Sequence, residues 1–427
     1  VYFGGSKFNS AKVFVQKESF FKEEKIEIIT KDSINEDVVA LIADLNNDGK
    51  NDVIVGTGGS DFYNKMTPLL DTYYTQSGVS FEKQELPAYF ENAAVIKAAD
   101  YDHDGDLDVF VGNNMVSNNF GAIPNSYILK NNKGKFSILE NQPFQNIGMI
   151  TDAIWEDYNS DGFVDLILVG EWMTPKFFKN TKGNFVEENL IKSKLTGLWQ
   201  QITPFDIDKD GDVDYLLGNW GKNSKFEASQ AHPLRMYYSD FDGNGSTETI
   251  LCNFKNGAYY PLLGLDELAS QIVSLRKKFT NYKSFAGKSI DAIFEKSVLK
   301  KARIFEVNTL ASGYLKNENN TFTFIPFKNE LQVSPISAFL EFDFDANGVN
   351  EVLVAGNYFG VSPYQGRFDS FPGALIVDEE KIILGNKIGL DFSQKAVKKL
   401  NSIKVQNKTY VLATINNDSA QVYQLIK

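Results

Sequence analysis

The chain has 427 residues, 43 Lys and Arg against 55 Asp and Glu, and a net charge of −12. That length would fit two or three ordinary domains, but a single cysteine, Cys252, rules out an internal disulfide framework. No apolar run is long enough to span a membrane as a helix, and the acidic balance argues against nucleic acid as a partner.

The opening "VYFGGSKF" reads as a strand and turn from a unit whose first strand is missing. From Glu36 onward a regular order sets in. An apolar run such as "VVALIA" leads into an acidic loop, then an aliphatic strand ending in a Gly-rich turn ("VGTGG", "VGNN", "VGEW", "LGNW", "AGNY"). Two further strands follow around Asn/Gly turns, as in "SYILKNNKGKFSIL", "KFFKNTKGNFVEE" and "GYLKNENNTFTFIPF". Each unit is predicted to be four antiparallel strands. Such sheets recur about every fifty residues and are too small to be stable alone, so they fit the blades of a propeller.

The acidic loop recurs six times: "DLNNDGKND", "DYDHDGDLD", "DYNSDGFVD", "DIDKDGDVD", "DFDGNGSTE" and "DFDANGVNE". Alternate carboxylates around a glycine suit a hard cation. Positions one, three, five and nine would offer side-chain oxygens, and position seven a carbonyl. The candidate ligands are Asp44, Asn46, Asp48, Lys50 and Asp52; Asp100, Asp102, Asp104, Asp106 and Asp108; and Asp157, Asn159, Asp161, Phe163 and Asp165. In the later loops they are Asp206, Asp208, Asp210, Asp212 and Asp214; Asp240, Asp242, Asn244, Ser246 and Glu248; and Asp343, Asp345, Asn347, Val349 and Glu351. An EF-hand would need a bidentate Glu at position twelve, where these loops have Val55, Val111, Leu168, Leu217, Leu251 and Val354. Up to six Ca²⁺ are expected, and together they would offset the charge of −12. A solvated Asx-rich turn would explain one such loop but not six in the same register. Asn at position five and Glu at position nine mark the fifth and sixth loops as the weakest.

Other chemistry is sparse. Cys252 in "TILCNF" reads as a buried, inert thiol, and His103 and His232 lack neighbours at zinc spacing, His103 standing where a loop side chain meets solvent. Residues 265–303 break the strand rhythm. Leu268, Ile272, Leu275, Phe279 and Tyr282 form one helical stripe, and Ile290, Ile293, Phe294, Val298 and Leu299 a second. Nine basic residues accompany them, Lys277 and Lys278 among them. The segment is read as a helical insertion packing on the propeller, with its lysines in water or docking a partner. Trp172, Trp220 and Tyr358 follow the turn glycines and should gather on one face, either filling wedges between blades or forming a sugar platform or protein contact.

The Asp-x-Asp-x-Asp-Gly-x-x-Asp loop entering a strand and Gly-rich turn resembles the FG-GAP/VCBS repeat, shared by integrin α-subunit propellers and many bacterial surface proteins. The order of "GEW", "GNWGKNS", "SDFDGNGS", the helical insertion and "GNYFGVSPYQGRFD" is similar to the C-terminal half of large VCBS-repeat proteins on the outer surface of Gram-negative bacteria. Repeats running from end to end, an incomplete first unit and final strands without a good calcium loop argue for about seven blades over residues 1–427, with 1–30 and 395–427 sharing a split closing blade. The resemblance fits such an all-β propeller. It also implies an exported location, part of a longer and lipid-anchored protein, and no catalytic residues. The function expected is a calcium-stabilised binding scaffold at the cell surface, engaging another surface or outer-membrane protein or a glycan, as an accessory of a nutrient-uptake complex. The alternative is a calcium-dependent polysaccharide lyase, which would gather basic and acidic side chains around one channel.

Overall fold

The computed structural model describes all residues except 60–64, 79, 363–364, 407 and 426–427. Within each repeat the second strand is the most buried element. Asp52–Gly58, Asp214–Gly218 and Glu351–Gly356 are buried at every position, because neighbouring sheets cover both faces. That explains their uninterrupted aliphatic sequences, where a half-exposed strand would alternate. Apolar clusters fill the wedges between successive sheets. Val39, Ile54 and Tyr73 meet Ile96, Val109 and Leu129 across one wedge, and Leu216 and Tyr314 meet Val352 and Ile376 across another.

The first strands Glu36–Ala43, Asn92–Ala99, Met149–Glu156, Gln201–Phe205, Ile336–Phe342 and Val397–Val405 each lie against the next and line the axis. Five of these sheets have the expected antiparallel four-strand order; the one that begins at Met149 gains Gly197–Leu198 as an extra edge. The last sheet, 397–424, and the first, 2–24, have three strands each. Tyr2, Ala11 and Val13 of the first sheet pack on Val53, Val55 and Tyr74 of the second. Asp37 accepts hydrogen bonds from the Tyr2 hydroxyl (2.8 Å) and the Gly5 N–H (3.0 Å). The Gln16 amide donates to the Lys404 carbonyl (2.6 Å), joining the two ends of the chain. The result is a β-propeller of seven sheets.

Two boundaries differ from expectation. The termini do not share a blade: Tyr2–Phe3, Lys12–Gln16 and Phe21–Glu24 pair among themselves through short local connections, so neither end needs strands from the other. The insertion is also larger than 265–303. It leaves after Gly218 and returns at Gly313, splitting one blade, whose strand Asp214–Gly218 pairs with Gly313–Asn317. It carries its own four-stranded sheet, ordered Ala258–Pro261, Glu248–Lys255, Leu234–Ser239, Arg303–Val307, and so the fifth acidic loop belongs to it and not to a ring blade.

The helical part is five short helices, of which the longest is Leu265–Gln271. Gly287, at φ +70°, and the cap of Asn281 on the Ser284 N–H (3.0 Å) interrupt what the stripes alone would make continuous. The stripe residues are buried as expected except Tyr282, which is exposed, and Val298 and Leu299, which are half-buried, but they pack on Tyr237, Phe241, Ile250 and Cys252 of the inserted sheet, not on the propeller. Burial pushes the Cys252 thiol up, which fits an inert side chain. Among the described residues no helix is long and apolar enough to cross a membrane.

One buried acid outside the loops makes stability depend on pH. Asp71 accepts from the Thr57 N–H (2.9 Å) and the Tyr127 hydroxyl (3.0 Å), yet burial pushes its carboxyl up to about 7. A raised acid pKa means that stability is fullest below the unfolded value near 4 and is lost as pH rises through 7, by up to about 4 kcal/mol. Asp71→Asn keeps an acceptor for Thr57 and removes the charge. Melting curves from pH 4.5 to 8 should flatten in the variant, and a profile superimposed on the parent's would refute the assignment.

Candidate metal loops and the axial channel

All six acidic loops fold the same way. The position-one carboxylate accepts from the backbone N–H groups of positions five and six, at 2.8–3.2 Å in every copy. The position-seven N–H donates in turn to the position-five side chain. Gly49, Gly105, Gly162, Gly211, Gly245 and Gly348 sit at φ between +83° and +98°, and nothing lies within 4 Å of where a Cβ would be. Backbone conformation, not space, therefore demands glycine there. Position four is also left-handed, and at Asn47, His103, Ser160, Lys209 and Ala346 a side chain is tolerated. His103 is exposed, as its loop position implies, and also stacks on Phe163 of the next loop (4.6 Å between centroids).

Position nine differs from the rest because it is buried. Asp52, Asp108, Asp165 and Asp214 are fully buried, and each accepts from a third-strand N–H: Gln76, Asn131, Asn180 or Asn317. Glu248 and Glu351, one methylene longer, reach instead to the N–H of Phe241 and Phe344 in their own loops. Burial chiefly, with neighbouring carboxylates adding, pushes Asp108 up to about 7 and Asp214 to about 6; Asp165 is likewise pushed to about 7.

Several ligand-type oxygens are buried with no partner: Asp102 Oδ1, Asp108 Oδ2, Asn159 Oδ1, Asp212 Oδ1 and Asp242 Oδ1. Orphaned carboxylate oxygens beside like charges are what a hard divalent cation would satisfy. Carboxylate oxygens converge within 4.8 Å in Asp100/Asp102/Asp108, Asp206/Asp208/Asp210, Asp240/Asp242/Glu248 and Asp343/Asp345/Glu351, each a group that could hold a metal ion. The grouping differs from the order expected from composition. The fifth and sixth loops assemble three carboxylates, whereas the first and third do not. In the first, the Tyr73 hydroxyl donates to Asp52 (3.0 Å); in the third, the Asn159 amide donates to Asp165 (2.6 Å).

Sequence reasoning missed the hairpin asparagines. Asn131 donates to the Leu45 carbonyl of the preceding loop (2.7 Å) as well as to Leu107, and Asn180 does the same to Tyr101 (2.8 Å) and Val164. The recurrent "KN" before each Asn/Gly turn was the available signal; it read only as turn chemistry.

The opposite face differs from the platform reading. Trp172 and Trp220 are 8% and 9% exposed and lie with Leu234, Met236 and Phe305 in the cluster that seats the insertion; Tyr358 packs beside them, half-buried. Trp199 is wholly buried, its indole N–H on the Met173 carbonyl. Of the basic candidates, Lys277 is exposed, while Lys278 donates to the Ile293 carbonyl (2.6 Å).

A second charged cluster lines the axis. Five first strands carry a bulge at the same place, between Asp37/Val39, Ala93/Val95, Ile150/Asp152, Ile336/Ala338 and Val397/Lys399. In the last of them it breaks the in–out alternation and lets Lys398 and Lys399 both reach water within walls of protein. Lys97 pairs with Asp152 (3.6 Å), which also accepts from the Ile202 N–H of the next blade (3.1 Å). Lys399 faces both, and Lys398 lies 5.2 Å from the Tyr358 ring and faces Glu171. Withdrawal from bulk water lowers both lysines despite these acids. No sequence spacing could have revealed this cluster, because it forms only when distant strands meet around the axis.

Comparison with known proteins gives one family. A model of the FG-GAP-like repeat matches residues 44–111, 100–168 and 157–217. No curated protein matches. Solved structures with similarity over most of their length include BBS1N in complex with ARL6DN (11% identity, 92% of each chain covered, TM-score 0.35). Another is the V. cholerae biofilm matrix protein Bap1 (10% identity, 97% of this chain and 91% of that one, TM-score 0.35). With three overlapping matches, each beginning at the first aspartate of an acidic loop, the chain carries FG-GAP-like repeats across residues 44–217.

Proposed function

We propose that the protein is a calcium-stabilised, non-catalytic binding scaffold at the outer cell surface, whose cations hold the blades and whose insertion engages another surface protein. The observation that carries this reading is a division between two faces. The ring loops lie at one end of the second strands. The insertion departs from the other end and rests there, with the Tyr238 and Thr247 hydroxyls on Asn119. Residues 265–303 hold nine basic and four acidic residues, a net of +5 on a chain of −12. Lys277, Lys283, Lys288, Lys296, Lys300 and Lys301 are exposed, beside Val273 at 65% and Tyr282 at 61%. A cationic surface with apolar points suits an acidic partner.

Calcium is the cation that fits best, since the donors are all oxygens and extracellular calcium modules work at ~10⁻⁴–10⁻³ M. Excess chelator should lower the melting temperature by several degrees, and Asp102→Ala should cost stability first and partner binding only indirectly. A melting temperature indifferent to chelator would refute the structural role.

The partner is tested by gentle isolation of the full-length protein from membranes in calcium, with mass spectrometry of what remains bound in stoichiometric amount. A surface protein should be retained, and retention should fail for a Lys277→Glu, Lys301→Glu variant of unchanged melting temperature. Isolation alone would contradict the reading.

The second reading, a polysaccharide lyase, is favoured by one observation: Lys97, Lys398 and Lys399 gather with Asp152 and Glu171 around the axis. It predicts new ultraviolet absorbance from unsaturated product on uronate polysaccharides, lost in Lys398→Ala. A flat trace across the panel would dismiss it.

A further inference from the structure

Three ring loops face a lysine from the third strand of their own blade. Lys130 Nζ lies 2.5 Å from Asp102 Oδ2 and 3.7 Å from Asp104. Lys316 Nζ lies 2.5 Å from Asp208 Oδ2, and Lys179 Nζ 3.2 Å from Asp161. All three occupy one register position, directly before the Asn whose N–H holds the closing aspartate. At that position the blades of loops 44–52 and 343–351 have Thr75 and Val377. Among the described residues no lysine pairs with loop 240–248 or loop 343–351.

The two loops richest in carboxylates are both paired in this way. Only loops 100–108 and 206–214 carry carboxylates at all of positions one, three, five and nine; in the others Asn46, Asn159, Asn244 or Asn347 replaces one. Counted over those four positions, four carboxylates and one lysine leave −3, the value of loops 240–248 and 343–351; loop 44–52, whose Lys50 lies 3.8 Å from Asp48, stands at −2. Loop 157–165, with three carboxylates and Lys179, stands at −2. The pairing also orients a ligand atom: Lys130 takes Asp102 Oδ2, while Asp102 Oδ1 is buried without a partner.

We propose that Lys130 and Lys316 are positioning residues of the cation loops, each the counterion of a fourth carboxylate. They turn one oxygen of the position-three aspartate toward the cation and bring the two four-carboxylate loops to the charge of loops 240–248 and 343–351. Four loops then fill over a narrow range of free cation, and loops 44–52 and 157–165, each with three carboxylates and a lysine, fill last. The inference rests on the cation reading above. Without the lysine, four like charges face one another in the cation-free protein, whereas the loaded loop loses a repulsive neighbour a few ångströms from a divalent ion. At effective dielectrics of 20 to 80 that repulsion is worth about tenfold or more in affinity. The bound cation itself then orients Asp102.

Terbium luminescence gives a local readout, because Trp155 stacks on Tyr101 of loop 100–108 (6.1 Å between centroids) and can sensitise an ion held there. The full chain, Lys130→Met and Lys130→Arg would be titrated with terbium alone, using Trp155→Phe to identify the signal, and melted in chelator. Lys130→Met should bind about tenfold more tightly and melt lower without cation, while Lys130→Arg should follow the parent. Equal or weaker binding in Lys130→Met, or an Arg variant that behaves like Met, would overturn the lysine's role. A parent chain with no sensitised signal and no stabilisation by calcium would instead remove the cation reading on which the role depends.

Discussion

The structure depends on a carboxylate buried at the foot of each second strand. An ionised group there is costly unless something answers its charge; the fold answers with a backbone N–H in every copy, adds a second donor at Asp52, Asp165 and Asp214, and leaves Asp108 Oδ2 without a partner. Because that N–H comes from the third strand in the ring's Asp loops, the loop, second strand and third strand are tied at one point. Where that N–H belongs to Asn131 or Asn180, the side chain also reaches on to the previous loop, so there the tie passes from one blade to the next. Loop geometry and ring geometry are therefore the same constraint seen from two sides. The Glu loops lack that tie and close only on themselves.

Much of this was legible in the chain. Six glycines at one offset required a left-handed backbone, and six aliphatic residues at position twelve excluded an EF-hand; both features are local, and local features survive folding unchanged. The all-β propeller followed from spacing. What could not be read was anything set by non-local pairing. The insertion's true limits depend on Asp214–Gly218 finding its partner across residues 219–312, and no pattern within 234–261 marks those strands as lying outside the ring. For the same reason nothing in the sequence connects Lys97, Asp152 and Lys399. The weakness assigned to the fifth and sixth loops came from composition alone. It took no account of neighbours from other strands, such as Tyr73, whose hydroxyl donates to Asp52.

The tryptophans illustrate how one sequence signal serves two structures. Trp172 and Trp220 do gather after the turn glycines, as their spacing implies, but they are covered by the inserted sheet. Trp172 also sits at φ +60°, an unfavourable place for a bulky side chain, held there by the bulge against Gly197–Leu198. A surface that would be a binding platform on a bare propeller has become the mortar between propeller and insertion. Exposed chemistry on that face has moved outward to the insertion and inward to the axis.

The split blade also fixes an order of assembly. Neighbouring sheets can form from contiguous chain, but Gly313–Asn317 cannot pair with Asp214–Gly218 until the intervening segment has been made and compacted, since closing so long a loop is slow and entropically costly. The insertion, with its own sheet and core, is suited to collapse first and bring the two ends together. Damage to its interior would therefore appear as a ring that fails to close, far from the site of the lesion.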